Sequence, residues 1–210
     1  MIDTSLSPSA PAAPNPPVLL RPRLQRGSIA RELLETVVLI VVVYTLFNLA
    51  TVRFYIEGPS MQPNFWAGQY LVVSRLHYLF GEPQRGDVVV FDPPGDDDNP
   101  RDNPLLIKRL IGLPGETVEL REGALFIDGR AYSEPYTNEP CQTRCDGSWS
   151  LGANEYFFMG DNRNNSRDSR VFGVVSRDRI MGEVVLRYFP PPDFSFIPGY
   201  SYPESVESAS

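Results

Sequence analysis

Ser60 and Lys108 are the side chains in this 210-residue chain whose types suit covalent chemistry as a pair. Ser60 opens the segment Ser60-Met61-Gln62-Pro63. A serine hydroxyl is a weak nucleophile until a neighbouring base takes its proton. The only histidine, His77, lies in Arg75-Leu76-His77-Tyr78-Leu79 with no acidic residue beside it to hold an imidazole tautomer, as a Ser-His-Asp arrangement would need. The remaining candidate base is a lysine, and Lys108 is the only one in the sequence. It sits in the apolar segment Leu105-Leu106-Ile107-Lys108-Arg109-Leu110-Ile111-Gly112. Burial disfavours an ammonium, and a lysine base needs its usual pKa of ~10.4 brought to roughly 7 to 8, a shift worth ~4 kcal/mol. Arginine could not take this part, because guanidinium does not deprotonate in proteins. Taken alone, Lys108 is also readable as a strand residue with its stem along the sheet and its charged head in water.

The elements that must hold this pair begin with an apolar run. Residues 36–52 carry no charge, and Leu33 and Leu34 extend the stretch to about the ~20 residues a helix needs to cross a bilayer. The reading is a transmembrane helix over 29–52, with Ser60 close to lipid. Arg21, Arg23, Arg26 and Arg31 precede it and only Arg53 follows closely, so the charge bias places the N-terminus in the cytoplasm and the following domain on the trans side. Two rivals are a cleavable secretory signal, whose apolar part is normally shorter, and a buried core helix. Residues 1–28, with Pro8, Pro11, Pro14, Pro16, Pro17 and Pro22, have too few apolar side chains to offset the entropy of ordering and are expected to be a disordered tail.

Beyond the span the period changes to that of strands. Short β-branched or aromatic runs at 53–56, 70–73, 87–91, 105–107, 117–120, 124–127, 155–159 and 182–186 are bounded by Gly, Pro, Asn or Asp, and Glu122-Gly123 has hairpin spacing. The expected fold class is mainly β: one transmembrane helix, then an antiparallel sheet or barrel-like domain over 53–189, then an irregular tail over 190–210 that opens with Pro190-Pro191-Pro192. A net charge of −7 argues against nucleic acid as a partner. Cys141 and Cys145, on the expected trans side, are read as a disulfide closing a short loop of small stabilising effect. Two cysteines and one distant histidine do not make a zinc site, and Asp96-Asp97-Asp98 reads as a solvated turn rather than a calcium loop. No metal or cofactor is expected. The apolar side chains of Phe65, Trp66, Tyr78, Leu79 and Phe80 are candidates to dip into lipid.

Four blocks occur in order: Gly58-Pro59-Ser60-Met61-Gln62-Pro63; Arg85-Gly86-Asp87-Val88-Val89-Val90-Phe91; Ile107-Lys108-Arg109-Leu110-Ile111-Gly112-Leu113-Pro114-Gly115; and Gly160-Asp161-Asn162-Arg163-Asn164-Asn165-Ser166-Arg167-Asp168-Ser169-Arg170. With the preceding span, they resemble the type I signal peptidase family of serine endopeptidases, from about Leu33 to Phe189. The resemblance implies that Ser60 is the nucleophile, Lys108 the general base and Ser166 a hydroxyl that hydrogen-bonds the lysine amine. It also implies that Asp168 and Arg170 form a bracing ion pair. Phe54, Ile56, Met61, Val90 and Ile107 match positions that line shallow apolar pockets for the residues one and three before the cut. The substrates implied are exported precursors with small-x-small sites, met at a cell or thylakoid membrane beside the export machinery. Some members add a serine hydroxyl two positions before the nucleophile to bind the oxyanion, where this chain has Gly58. Asn64 and Glu116 replace the family's common Thr and Asp. A self-cleaving repressor would share the Ser-Lys pair and a similar β fold, but carries a DNA-binding domain and no span. A non-catalytic membrane-anchored binding module would keep its function after Ser60→Ala.

Overall fold

The computed structural model describes residues 26–95 and 104–199, with side chains described from residue 29 onward. The expected tail over 1–28 lies almost wholly outside the described residues, as do Asp96-Asp97-Asp98 and the chain end beyond 199.

Helix α1 spans Arg26–Ala50, and its segment Ile29–Ala50 is long and apolar enough to cross a membrane. Its side chains are exposed, which is not the arrangement of a core helix. Three polar side chains in and just after the run bond back to helix carbonyls. Thr36 Oγ1 donates to Glu32 O, Asn48 Nδ2 to Tyr44 O and Thr51 Oγ1 to Phe47 O, each at 2.8 Å. Internal bonds of this kind are what an apolar solvent demands. The expected end at Val52 is corrected by two residues, because Thr51 and Val52 pair with Ser74 and Val73 and so begin a strand.

The rest is mainly antiparallel β, in two sheets. The larger contains β1 (Thr51–Tyr55), β2 (Tyr70–Ser74), β3 (Val88–Phe91), β4 (Leu106–Gly112), β9 (Glu155–Met159), β10 (Val175–Ser176), β11 (Ile180–Phe189) and β12 (Ser195–Phe196). It curls as a half-barrel in the order β1-β2-β11-β3-β4-β9-β10, with β12 beside β11. The smaller contains β5 (Thr117–Arg121), β6 (Ala124–Ile127), β7 (Arg130–Tyr132) and β8 (Gly147–Ser150), in the order β7-β6-β5-β8. Glu122 and Gly123 turn β5 into β6 with φ of +50° and +82°, the positive pair that matches the twist of a tight hairpin. Asp128-Gly129 repeats the device between β6 and β7. Two short helices, α2 (His77–Phe80) and α3 (Ser169–Phe172), sit in connections.

One correction concerns the segment from Pro190. Expected to be irregular, it forms a single 3-10 turn over Pro191–Asp193 and then strand β12, which pairs Ser195 with Arg187 and Phe196 with Leu186. Arg187 fixes it by donating to Asp193 O at 2.8 Å and Ser195 Oγ at 3.0 Å.

Strand β4 is central because its residues serve different interiors. Ile107 joins a core with Ile56, Met61, Phe65, Leu71, Val88 and Val90; Leu110 joins one with Val89, Phe91 and Phe158; Ile111 joins the core of the smaller sheet. A strand packed on both sides reads as a continuous apolar run, and a charge placed in it is desolvated.

Candidate active site

Ser60 lies in the turn between β1 and β2. The next residue, Met61, is fully buried in the first core, and Gln62 N donates to Pro59 O at 3.1 Å and Phe65 N to Met61 O at 2.9 Å. Across the site, Asn162 N donates to Ser60 O at 3.0 Å. The Ser60 N–H itself has no partner among the described residues.

Lys108 enters from β4, where it pairs with Val89 of β3. Its side chain is 2 % exposed, and Nζ lies 2.7 Å from Ser60 Oγ while donating to Ile107 O at 2.8 Å. Burial lowers its pKa from the ordinary lysine value to about 8, against the opposing charges of Asp168 and Asp161. The amine is therefore neutral in roughly a tenth of molecules at pH 7 and in about half near pH 8, and a neutral amine can accept the hydroxyl proton of Ser60.

Ser166 lies near the pair but does not bond the amine in this arrangement. Its buried Oγ lies by the Asp168 carboxyl, whose pKa it helps to hold down, while Lys108 Nζ turns to Ser60 and Ile107 O. The hydroxyl sits against Gly160, where a methyl group would overlap both Ser166 Oγ and the Ser60 carbonyl oxygen, so Gly160 is what lets the two segments approach.

Asp168 and Arg170 form a buried two-point ion pair, with Nε to Oδ1 at 2.9 Å and Nη2 to Oδ2 at 2.8 Å. Burial raises the Asp168 pKa, but Arg170 and the Gly160 N–H, 3.0 Å away, outweigh it and hold the carboxyl below its usual range. Arg170 also donates to Arg163 O at 2.8 Å, Thr143 O at 3.2 Å and Cys141 Sγ at 3.4 Å. Cys141 and Cys145 are disulfide-bonded with Cα atoms 5.7 Å apart. The disulfide loop is thereby attached to the segment that carries Asp168, whose charge acts on Lys108.

A cleft opens beside Ser60, lined by Phe54, Ile56, Gly58, Ile107 and Lys108 together with Tyr55, Glu57, Pro104, Leu105 and Leu106. Of the five residues implied to line substrate pockets, Phe54, Ile56 and Ile107 line it. Met61 and Val90 do not: at 0 % and 1 % exposure they belong to the core beneath it. A methyl group at Gly58 would meet nothing within 4 Å, so the wall there is open.

Residues the sequence reading did not single out complete the support. Arg109 forms a buried two-point pair with Asp161, at 2.8 and 2.7 Å, and lies 4.3 Å over the Tyr136 ring. Asn64 Nδ2 donates to Asp161 Oδ2 and to Tyr136 O, each at 2.7 Å. Arg163 pairs with Glu134. An arginine next to Lys108 in an apolar strand was the available signal; its partner 52 residues away was not readable. His77 is no part of this site, since its Nδ1 meets Glu183 Oε2 at 2.5 Å. Of the apolar side chains considered for lipid contact, Phe65 and Tyr78 are core residues, whereas Trp66, Leu79 and Phe80 are exposed. Among the described residues no three His, Cys, Asp or Glu side chains form a group that could hold a metal.

A serine hydroxyl beside a buried amine, at the foot of an apolar cleft on a mainly β scaffold, is an arrangement suited to acyl transfer. The chain matches the family described as "Signal peptidase, peptidase S26" over residues 29–189 and belongs to it, which makes it a serine peptidase. It is 40% identical over 138 residues to a signal peptidase I of Leptolyngbya laminosa, covering 65% of this chain and 68% of the relative. A probable signal peptidase I-1 of Synechocystis is 37% identical over 174 residues, covering 77% of this chain and 86% of the relative. A crystal structure of a signal peptidase I from Enterococcus faecalis aligns with a TM-score of 0.41 at 36% identity, covering 49% of this chain and 96% of that one.

Proposed function

We propose that this protein is a membrane-bound serine endopeptidase that removes N-terminal signal peptides from exported precursors after small-x-small sites. The observation that carries the reading is the 2.7 Å approach of a buried Lys108 amine to Ser60 Oγ. Neutral Lys108 takes the Ser60 proton as Oγ attacks the scissile carbonyl, the peptide leaves with an amine that needs that proton, and an acyl-enzyme on Ser60 remains. Lys108 then deprotonates the water that hydrolyses the ester. The unpartnered Ser60 N–H is the donor for the developing oxyanion. Ser166 supports the amine when Lys108 moves from serine to water. The shallow wall of Phe54, Ile56 and Ile107 selects small side chains at the first and third positions before the cut by excluding larger ones.

Helix α1 anchors the enzyme with its N-terminus in the cytoplasm and the catalytic domain on the trans side of a cell or thylakoid membrane, in contact with lipid and near the export machinery. No metal or cofactor enters the mechanism. The test is product mass spectrometry after detergent-solubilised enzyme meets a precursor with an Ala-x-Ala site. Cleavage after the final Ala, abolished in Lys108→Ala and weakened in Ser166→Ala, is expected. A Ser60→Ala enzyme that still cut at that bond would sink the assignment.

A further inference from the structure

The cleft beside Ser60 carries one charge that the proposed mechanism leaves unused. Residues 53–57 run extended, with Phe54 and Ile56 turned inward while Arg53, Tyr55 and Glu57 are exposed. Glu57 lines the cleft and has no hydrogen bond or ion pair with any described residue. Arg53, on the same outward side, is separated from it by Tyr55 and forms no ion pair with it among the described residues. The other charged lining residue, Lys108, is buried and must be neutral to work. Among the described residues that line the cleft, Glu57 is thus the one exposed charge on its rim, and it is acidic.

The opposite wall shows how a substrate would lie against that rim. Strand β4 pairs with β3 through Leu106, Ile107 and Lys108, but with β9 only from Arg109 onward. No strand among the described residues occupies the second edge of 106–108. A peptide laid there adds as a strand through its backbone, and its side chains alternate between the two sides. Side chains at the first and third positions before the cut point to the apolar floor; those at the second and fourth point to the rim.

We propose that Glu57 is a specificity determinant, favouring a Lys or Arg side chain and disfavouring Asp or Glu at the outward-facing second or fourth position before the cut. This rests on the reading that the cleft binds the segment before the scissile bond. A solvent-exposed ion pair is worth up to ~1 kcal/mol, so the effect is a rate ratio of up to about five-fold, acting through KM and screened by salt.

The experiment measures kcat and KM of the full-length enzyme in detergent on peptides with Ala at the first and third positions and Lys, Gln or Glu at the second, and a matching set varied at the fourth. In one set or both, the wild type is expected to prefer Lys over Glu about three- to five-fold at low salt, with the preference fading near about 0.5 M salt. Glu57→Gln should flatten the ratio and Glu57→Lys should invert it. A Gln peptide cut well, with the same Lys-to-Glu ratio in wild type and Glu57→Gln, overturns the proposal while leaving the proposed function standing. A Gln peptide that the folded wild type does not cut fails the cleft reading itself.

Discussion

The two sheets fill their interiors with different materials. The smaller one closes on Val118, Leu120, Leu125 and Ile127, joined by Ile111, Phe157 and Met159 from the larger sheet. The buried polar and charged side chains, including Lys108, Arg109, Asp161, Arg163, Asp168 and Glu183, all belong to the larger sheet and its connections. Apolar burial stabilises directly, whereas each buried charge costs desolvation that its partners offset only in part. Arg109 and Asp161, like Arg170 and Asp168, are paired. Lys108 is buried with a hydroxyl and a carbonyl but no carboxylate in contact, and Asp87 likewise relies on neutral donors, Tyr78 Oη and Gln84 N. The proposed base is therefore a buried amine without a counter-ion in contact.

The sharpest way to test this contrast is to remove the reactive pair. Ser60→Ala or Lys108→Ala should lower the cleavage rate by on the order of 10⁴-fold or more, while far-UV circular dichroism shows an unchanged fold. The smaller sheet should respond in the opposite sense. Leu120→Ala should cost about 2–5 kcal/mol in denaturant unfolding, with the kcat of the folded fraction retained. Loss of kcat with no change in unfolding midpoint would break the comparison.

Lys108→Met sharpens it further, because the inactive variant should be more stable than the wild type. A pKa held at about 8 instead of its unperturbed 10.5 means that burial penalises the ammonium, by about 3 kcal/mol at pH 7. The folded value lies below the unfolded one, so the penalty is fully present below about 8 and disappears as pH rises past 10.5. Urea unfolding of the two proteins at pH 7 and at pH 11 reads both the gain and its loss. The same titration governs catalysis. Activity should fall roughly ten-fold per pH unit below an acid limb near 8, as the base becomes protonated. The smallest effect is expected from Asp168→Asn. Its charge favours the ammonium form, so its loss should move the acid limb of the surviving activity to lower pH. A limb that moved upward would show that loss of Arg170's partner rearranges the site.

Much of this was legible in the sequence, for physical reasons that also mark the limits. The apolar run, the strand periodicity of β2, β3, β5, β6 and β9, and the Glu122-Gly123 turn are local signals, and each is present in the structure. Scarcity singled out Lys108, and an apolar strand around a lone lysine implies desolvation. What depends on distant pairing was not readable. The Arg109–Asp161 pair, the Asn64 bridge to Tyr136 and the docking of β12 join residues that no local period connects. Met61 and Val90 show a different limit, since a residue implied to face substrate and one packed one layer deeper have the same apolar side-chain chemistry. Asp128-Gly129 was a missed local signal, as clear a hairpin dipeptide as the one that was read.

Because Lys108 is the only lysine in the sequence, there is one side-chain amine to address, and it is buried. Amine-directed chemistry therefore addresses a single side-chain position, and its environment depends on folding. Reductive methylation with ¹³C-formaldehyde would place a single side-chain resonance at the nitrogen of the proposed base. Its chemical shift would report the protonation of the base directly, in the resting enzyme and under an inhibitor, without assignment of any other signal.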